Sequence, residues 1–433
     1  MKKSFWITLM LIALIFAAVV YAISATTQDK QKDKATNTTL SDIEGKEKRL
    51  ALNYENVRAI WLSQFDMREI YTDGDGQRPQ DDYTERIRGV IKNVRSLGIN
   101  TVFIQLRPNG DSIYPSEFFP ASKYVSGAYG KDIEYDAFGI FLEEAHAEGI
   151  SVQAWINPLR CMTAEELPFI PDGYTIKKWY NETPQSKIVK VSDRYYLNPA
   201  HREVRALICD GVSEIIKNYP VDGIHIDDYF YPTTEEYFDA REYSAYTERG
   251  GILSLPEFRR EQINALVRDI YATVKQRDHS ILFGVSPGGN TDRNYNELYA
   301  DVALWCASDC YIDYICPQIY YGLEHETHPF DRICDEFAEM VSARGVKLII
   351  GMTLEKAYEG YIGVSDEWAG SGADEWIHSR DILKRCLEYA STTEECEGIA
   401  FFSYRLFFSP EDGTQIEETE EEIAAFLPIF KNS

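Results

Sequence analysis

The stretch Val221-Asp-Gly-Ile-His-Ile-Asp-Asp-Tyr229 joins a short run of β-favouring apolar residues to two adjacent carboxylates. Such a run is typical of a strand that is buried on both faces. Amphipathic helical patterns lie on either side of it, over residues 202–217 and 256–276. A buried strand between two such helices predicts a βα unit of a parallel sheet.

The same unit recurs along the chain after residue 50. The predicted strands cover residues 57–63, 101–105, 151–156, 221–227, 281–286, 311–316, 347–352 and 398–403. The helices predicted to follow them cover residues 83–97, 137–148, 202–217, 256–276, 295–306, 330–343, 373–389 and 417–426. This succession predicts an α/β fold, a (β/α)8 TIM barrel with enlarged βα loops. A doubly wound sheet would need a glycine-rich phosphate turn after the first strand, and residues 63–66 read Ser-Gln-Phe-Asp.

Composition narrows the class of ligand. The 433 residues include 44 Lys and Arg against 70 Asp and Glu, a formal net charge of −26 at pH 7. Phosphate binding requires clustered basic side chains, so this charge argues against a nucleic-acid partner. The 29 Tyr, 21 Phe and 7 Trp residues suit a neutral polyhydroxylated ligand, because aromatic rings stack on sugar faces. Large Tyr-rich core layers would explain this composition equally well.

The N-terminus has a different character from the rest of the chain. Met1-Lys-Lys precedes an uncharged apolar run over residues 5–23. This pattern predicts a secretory signal or membrane anchor within residues 1–24. Residues 25–49 are rich in Lys, Thr and Asp and predict a solvated linker. We therefore expect the barrel domain, residues 50–433, to lie outside the cytoplasm, either anchored with the N-terminus inside or secreted.

The cysteines do not suggest a disulfide framework. An even number of cysteines in an exported protein permits disulfides. However, most of the eight cysteines lie in apolar segments that read as helix or strand interiors. We therefore expect free buried thiols.

Polar and aromatic residues follow the predicted strands, and the active site of a TIM barrel lies at the carboxyl ends of its strands. The candidates are Asp66, Arg107, Asn109, Asp111, Trp155, Asn157, Arg160, Asp227, Asp228, Tyr229, Tyr231, Gln318, Tyr320 and Glu355. Carboxylates, amides and aromatic rings are the groups that sugar binding and acid–base cleavage require. We therefore expect a polysaccharide substrate.

The adjacent carboxylates Asp227 and Asp228 are the sharpest catalytic candidates. Two neighbouring carboxylates repel each other, so one should keep its proton to a higher pH and could act as an acid. A loop-capping role, or an ion pair with Arg107, is the structural alternative. A metal site with His225 would take its ligands from one strand without a second histidine motif, so we expect neither a metal nor a cofactor.

Seven segments occur in the order found in glycosyl-hydrolase-like family 10, and the chain resembles that family over roughly residues 55–410. The segments are residues 58–62, 103–117, 154–160, 196–199, 221–232, 283–287 and 315–320, including Phe103-Ile-Gln-Leu-Arg-Pro-Asn-Gly-Asp111 and Ala154-Trp-Ile-Asn-Pro-Leu-Arg160. The family comprises bacterial envelope proteins, among them a division-associated glycosidase that acts on peptidoglycan strands without stem peptides. The resemblance implies a TIM barrel that hydrolyses glycan chains outside the cytoplasm, with partners in the envelope or at the division site. It carries functional roles most firmly onto Arg107, Asp111, Asn157, Asp227, Asp228, Tyr229, Gln318 and Tyr320.

A second likeness concerns mechanism. Cell-wall sugars carry a 2-acetamido group, which some barrel glycosidases use as the internal nucleophile. Families of O-linked N-acetylglucosamine hydrolases place an adjacent Asp pair after strand four for this purpose, and the pair here looks similar. The likeness implies that Asp227 orients the acetamide, Asp228 is the general acid and base, and Tyr320 and Asn157 hold the oxazoline-like intermediate. Neighbouring residues of a regular strand face opposite ways, so both carboxylates reach the site only if the strand ends at Asp227.

Two other functions stay open at this point. A retaining glycosidase on another polysaccharide would use Asp227 as the nucleophile and Glu355 or Asp228 as the acid. A non-catalytic glycan-binding envelope protein would keep an aromatic platform but tolerate the loss of both carboxylates.

Overall fold

The protein is described by a computed structural model over residues 50–431. The predicted signal or anchor and the predicted linker lie outside the described residues. Within residues 50–431, no helix combines the length and the apolar character needed to cross a bilayer.

The described strands, numbered in chain order, include the eight barrel strands that the sequence predicts. They are β1 (Val57–Leu62), β2 (Thr72–Asp73), β3 (Gly76–Gln77), β4 (Thr101–Arg107), β5 (Ser151–Ile156), β6 (Arg160–Thr163), β7 (Ile188–Val191), β8 (Arg194–Leu197), β9 (Gly223–Ile226), β10 (Leu282–Val285), β11 (Tyr314–Ile315), β12 (Lys347–Thr353) and β13 (Cys396–Phe402). Eight of these strands close a parallel barrel in the order β1-β13-β12-β11-β10-β9-β5-β4. The predicted TIM barrel is confirmed, and each predicted strand overlaps the observed one.

Helices surround the barrel and fill the βα loops. The α-helices are Gln64–Tyr71, Gln80–Ser96, Lys123–Ser126, Ala137–Ala147, Thr175–Asn181, Arg202–Asn218, Ala240–Glu248, Leu255–Arg277, Thr291–Asn296, Val302–Cys306, Phe330–Met340, Glu355–Tyr361, Glu375–His378, Ile382–Ala390 and Glu417–Phe430. Short 3-10 helices cover Leu167–Phe169, Glu236–Phe238, Glu367–Gly372 and Tyr404–Leu406. Gly98 and Gly149 adopt φ of +83° and +69° just after two of the helices, where a left-handed residue stops the helix.

Two predicted helices are interrupted in the structure. The helix predicted over residues 295–306 is split because Tyr299 adopts φ of +55° and the side chain of Asp301 then caps a new helix at the N–H of Leu304. The helix predicted over residues 373–389 breaks where the guanidinium of Arg380 binds three carbonyl oxygens at the end of its first turn. In both places a local side-chain contact overrides the apolar periodicity.

A small antiparallel sheet, ordered β6-β8-β7, fills the loop between β5 and the helix Arg202–Asn218. The sequence reading placed only a loop there. Its signal was present as alternating residues in β7 and β8 on either side of a tight turn at Ser192, which adopts φ of +55°. This sheet places Arg160, the first residue of β6, beside the mouth of the barrel.

The barrel interior is packed with aromatic rings rather than left as a pore. The ring of His225 stacks on Phe103 at 4.2 Å between centroids, and Trp61 Nε1 donates to His225 Nε2 across 3.2 Å. His225 Nδ1 lies 2.9 Å from the hydroxyl oxygen of Tyr314. Burial lowers the pKa of His225 to about 3, so the imidazole is neutral and forms part of the core. This packed layer fills the barrel beneath the residues at its mouth.

The eight cysteines are all free, as the sequence predicts. Five are buried, two are partly buried and Cys310 is exposed.

Candidate active site

The strand that carries the carboxylate pair ends where both side chains can face the barrel mouth. Asp227 follows Ile226, the last residue of β9, and continues the inward-facing series of His225. The chain then turns: the N–H of Tyr229 donates to Asp227 Oδ1 across 3.3 Å, and the N–H of Phe230 donates to the carbonyl of Asp228 across 2.9 Å. The strict alternation of a strand therefore does not apply to Asp228. The strand ends before Asp227, so both carboxylates can reach the same site, as the sequence analysis required.

Asp227 is held by a set of N–H donors. Its Oδ2 accepts from Trp155 Nε1 across 3.1 Å and from the side-chain amide of Asn157. Only 3% of Asp227 is exposed. Burial, reinforced by the neighbouring charge of Asp228, raises the pKa of Asp227 to about 8. A pKa of about 8 means that the pair retains a proton at neutral pH.

Asp228 turns toward the ends of β10 and β11, whereas Asn157 follows β5 on the other side of β9. Its carboxyl is close to Gly288, in the loop after β10, and within hydrogen-bonding reach of the side chain of Gln318, which follows β11. Gln318 is itself oriented, because its Nε2 donates to the carbonyl of Ser286 across 3.1 Å. Burial also raises the pKa of Asp228, while the amide of Gln318 partly offsets that rise.

Two glutamines determine which end of the Asn157 side-chain amide points toward Asp227. The N–H of Gln64 donates to Gln105 Oε1 across 2.9 Å, so the amide nitrogen of Gln105 is left to donate to Asn157 Oδ1 across 2.6 Å. Asn157 must then offer its own Nδ2 to Asp227. The sequence reading did not single out Gln105 or Gln64, although a polar residue inside the buried strand Val-Phe-Ile-Gln-Leu was the available signal.

Tyr320 and Glu355 complete the mouth on the side of β11 and β12. Burial raises the pKa of Tyr320 well above its usual value, and the charges of Asp228, Glu355 and Asp227 add to that rise. The hydroxyl of Tyr320 therefore lies within electrostatic range of all three candidate catalytic carboxylates. Glu355 is the exposed first residue of the helix Glu355–Tyr361.

An aromatic–cation pair lies beside the carboxylates. Tyr229 is 43% exposed, and the guanidinium carbon of Arg160 lies 4.6 Å from its ring centroid. The backbone N–H of Tyr229 donates to Asp227, and the charge of Arg160 partly offsets the rise in the pKa values of Asp227 and Asp228.

The side chains of four sequence candidates are engaged by partners other than the Asp pair. Arg107 is fully buried, with its guanidinium 3.6 Å from the ring centroid of Phe119 and directed at the helix Arg202–Asn218. The alternative ion pair between Arg107 and the Asp pair is absent among the ion pairs of residues 50–431. The arginine instead supports the loop after β4 from behind.

The other three support loops. Asp111 accepts from the N–H of Asn109 across 2.8 Å and from the hydroxyl of Tyr129 across 2.9 Å. Asn109 Oδ1 accepts from Arg194 across 2.8 Å. Tyr231 is 1% exposed and donates to Asp239 across 3.1 Å. In these buried positions the side chains shape the loops around the mouth.

Asp66, which follows β1, is also occupied by the fold. Its carboxyl accepts from the hydroxyl of Ser403 across 2.8 Å and from the N–H of Arg405 across 2.7 Å, which ties the end of β1 to the end of β13. Among residues 50–431, no three His, Cys, Asp or Glu side chains form a group that could hold a metal ion.

Comparison with known proteins places this site in a family. The model of the family described as glycosyl hydrolase-like 10 matches residues 56–369. The chain belongs to this family. It is 30% identical to the glycosyl hydrolase YngK of Bacillus subtilis over 322 residues, which are 69% of this chain and 61% of YngK. It is also 30% identical to the glycosyl hydrolase DigH of Escherichia coli over 334 residues, 72% of this chain and 73% of DigH.

Solved structures support the fold of this family member. The glycoside hydrolase domain of PgaB from Bordetella bronchiseptica superimposes with a TM-score of 0.53 at 12% identity, covering 86% of this chain and 99% of that domain. The catalytic domain of β-amylase from Paenibacillus polymyxa superimposes with a TM-score of 0.52 at 10% identity, covering 88% of this chain and all of that domain. At these identities the likeness shows a shared barrel.

Proposed function

We propose that this protein is a glycoside hydrolase that cleaves N-acetylated glycan chains of the peptidoglycan type. One observation carries the proposal: two adjacent carboxyls lie at the mouth of a TIM barrel, where an amide and an indole N–H donate to Asp227. Membership of the glycosyl hydrolase-like 10 family supports hydrolysis of a polysaccharide. The N-acetylated substrate comes from the likeness of the Asp pair to that of acetamido-dependent hydrolases.

In the proposed reaction the substrate's own acetamide is the nucleophile. We assign the proton of the pair to Asp228, because Asp227 accepts hydrogen bonds from three N–H donors that favour its charged form. Asp227 then accepts the acetamide N–H and turns the carbonyl oxygen toward the anomeric carbon. Asp228 gives its proton to the leaving glycosidic oxygen as the carbonyl oxygen forms the oxazoline, which Tyr320 and Asn157 hold. Asp228 next takes a proton from water, and the hydroxide opens the oxazoline to restore the acetamide.

A retaining mechanism with a protein nucleophile uses the same residues in other roles. Asp227 would attack the anomeric carbon, and Glu355 or Asp228 would protonate the leaving group. A thiazoline inhibitor, which mimics the oxazoline, separates the two mechanisms. Binding that is competitive with glycan supports the acetamido route, whereas failure to bind would contradict it.

Zymography on purified glycan stripped of stem peptides tests the function itself. We expect clearing by the wild type and no clearing by Asp228→Asn, with both proteins folded by circular dichroism. Retention of the glycan without clearing by either protein would instead identify a glycan-binding protein, the second candidate. The exposed ring of Tyr229 supports this second candidate, because a sugar could stack on it.

The place of action is proposed from the sequence. We propose that residues 1–24 export the barrel and either anchor it to the membrane or are removed, so that the enzyme meets its substrate outside the cytoplasm. Envelope or division-site proteins are the expected partners. Fractionation of cells with an antibody to the barrel, with and without residues 1–24, tests this placement.

A further inference from the structure

The Arg160 side chain is unusual among the charged groups of the mouth. No carboxylate of residues 50–431 lies within ion-pair distance of its guanidinium, although the chain has 70 acidic residues. Its side-chain contact is instead the face of Tyr229, at 4.6 Å. A planar guanidinium on an aromatic ring keeps its N–H donors free for an anion.

Arg160 and Tyr229 lie close to the carboxyls that would act on the glycosidic bond. Arg160 follows Asn157 by three residues, and Tyr229 follows Asp227 by two. The N–H of Tyr229 donates to Asp227, and Arg160 acts electrostatically on both Asp227 and Asp228. A sugar bound at the carboxyls would therefore lie beside the ring and the guanidinium together.

A second arginine near the Asp pair differs from Arg160, because it has a carboxylate partner of its own. Arg293 also acts electrostatically on Asp228, but it forms an ion pair with Glu297 at 3.5 Å and its side chain is 60% exposed. Its charge is thus partly neutralised within its own helix, whereas that of Arg160 is not.

We propose that Arg160 and Tyr229 form a specificity subsite that recognises a carboxylate carried by the glycan, such as the lactyl ether of a muramic-type sugar. The ring stacks on the sugar face, and the guanidinium fork binds the carboxylate with two parallel N–H donors. The cation also offsets the repulsion between an anionic glycan and the Asp pair. This inference rests on the proposed function and adds the substrate feature that the site selects.

The experiment compares two matched glycans. One is the peptide-stripped glycan with its lactyl carboxylates, and the other is the same glycan after reduction of those carboxylates to alcohols. We expect the wild type to prefer the carboxylate form at least tenfold in kcat/KM. Arg160→Gln should lose that preference, because kcat/KM should fall much further on the carboxylate form than on the alcohol form. Arg160→Lys should keep part of the preference, because it retains the charge without the fork.

Arg293→Gln is the matched control, since it removes another cation near Asp228 and should change both substrates equally. An equal loss on both glycans in Arg160→Gln, or a wild type without preference, would overturn the inference. Dissociation constants measured in the Asp228→Asn background separate this outcome from failure of the proposed function. If the wild type cleaves neither glycan and the binding preference still depends on Arg160, the subsite is upheld and the hydrolase is rejected.

Discussion

The side-chain amide of Gln105 donates to Asn157 Oδ1 across 2.6 Å, and this bond decides which group Asn157 presents to the active site. Gln105 is itself fixed by the backbone N–H of Gln64, which occupies its oxygen. The orientation is thus transmitted from a backbone donor through two amides to the carboxyl of Asp227. An unsupported asparagine could rotate its amide and present an acceptor to an anion.

Removing that support should impair turnover more than binding. In Gln105→Met we expect kcat to fall by about 10- to 100-fold and KM to change less than about threefold, because Asn157 loses its fixed orientation. Steady-state kinetics on peptide-stripped glycan measure both. Gln153→Met is a matched control, since Gln153 is a buried glutamine near the opposite end of β5. It should change kcat little, and a similar kcat loss in both variants would contradict the orienting role.

Glu355 discriminates between the two mechanisms. If the acetamide is the nucleophile and Asp228 the acid, Asp228→Asn should lose about 10²- to 10⁴-fold in kcat, while Glu355→Gln stays within about tenfold of wild type. If Glu355 is the acid, Glu355→Gln should show the larger loss. Rates on a glycan with a good leaving group sharpen the comparison, because such a substrate restores a variant that lacks only the acid.

The dependence of kcat/KM on pH should show when the Asp227–Asp228 pair loses its proton. Burial and repulsion raise the pKa of Asp227 to about 8, and burial raises that of Asp228, so the pair loses its remaining proton near pH 8. We expect kcat/KM to fall about tenfold per pH unit above this value, since the acid is then deprotonated. The residual activity of Asp228→Asn should not show this fall above pH 8. A wild-type profile that stays flat well above pH 8 would be incompatible with the assignment.

The same pair should lower stability at alkaline pH. A carboxyl with a raised folded-state pKa binds a proton that the unfolded chain releases at about pH 4. Stability is therefore lost as pH rises from about 4 through 8. We expect Asp228→Asn to melt about 2–4 °C above wild type at pH 8.5, with a difference that shrinks toward pH 4.5. Differential scanning calorimetry across this range measures the effect.

The exposed Asp412 provides the control. Hydrogen bonds from Thr414 lower its pKa, so its shift has the opposite sign to that of the pair. Asp412→Asn should therefore bring no gain in Tm at pH 8.5. An equal gain in both variants would point to net charge as the cause instead of the pair.

The fold was accessible from the sequence because buried parallel strands read as short continuous apolar runs, as in Val57–Leu62 and Gly223–Ile226. The position of Asp227 and Asp228 followed from the rule that catalytic groups lie at strand ends. Arg107 ends β4, and Asp111 and Tyr231 follow strands, yet all three side chains are buried against partners other than the Asp pair. Sequence position alone does not state whether a side chain at a strand end turns inward or outward.

The sequence by itself determined the number and order of the βα units and the carboxylate pair that ends the fourth strand. Only the tertiary structure decided that β9 stops at Ile226, so that Asp228 turns toward Gln318. It also brought Gln105 to Asn157 and left Arg160 on the ring of Tyr229. The physical reason is that apolar periodicity is local, whereas the partner of a polar group depends on which strands close the barrel beside it.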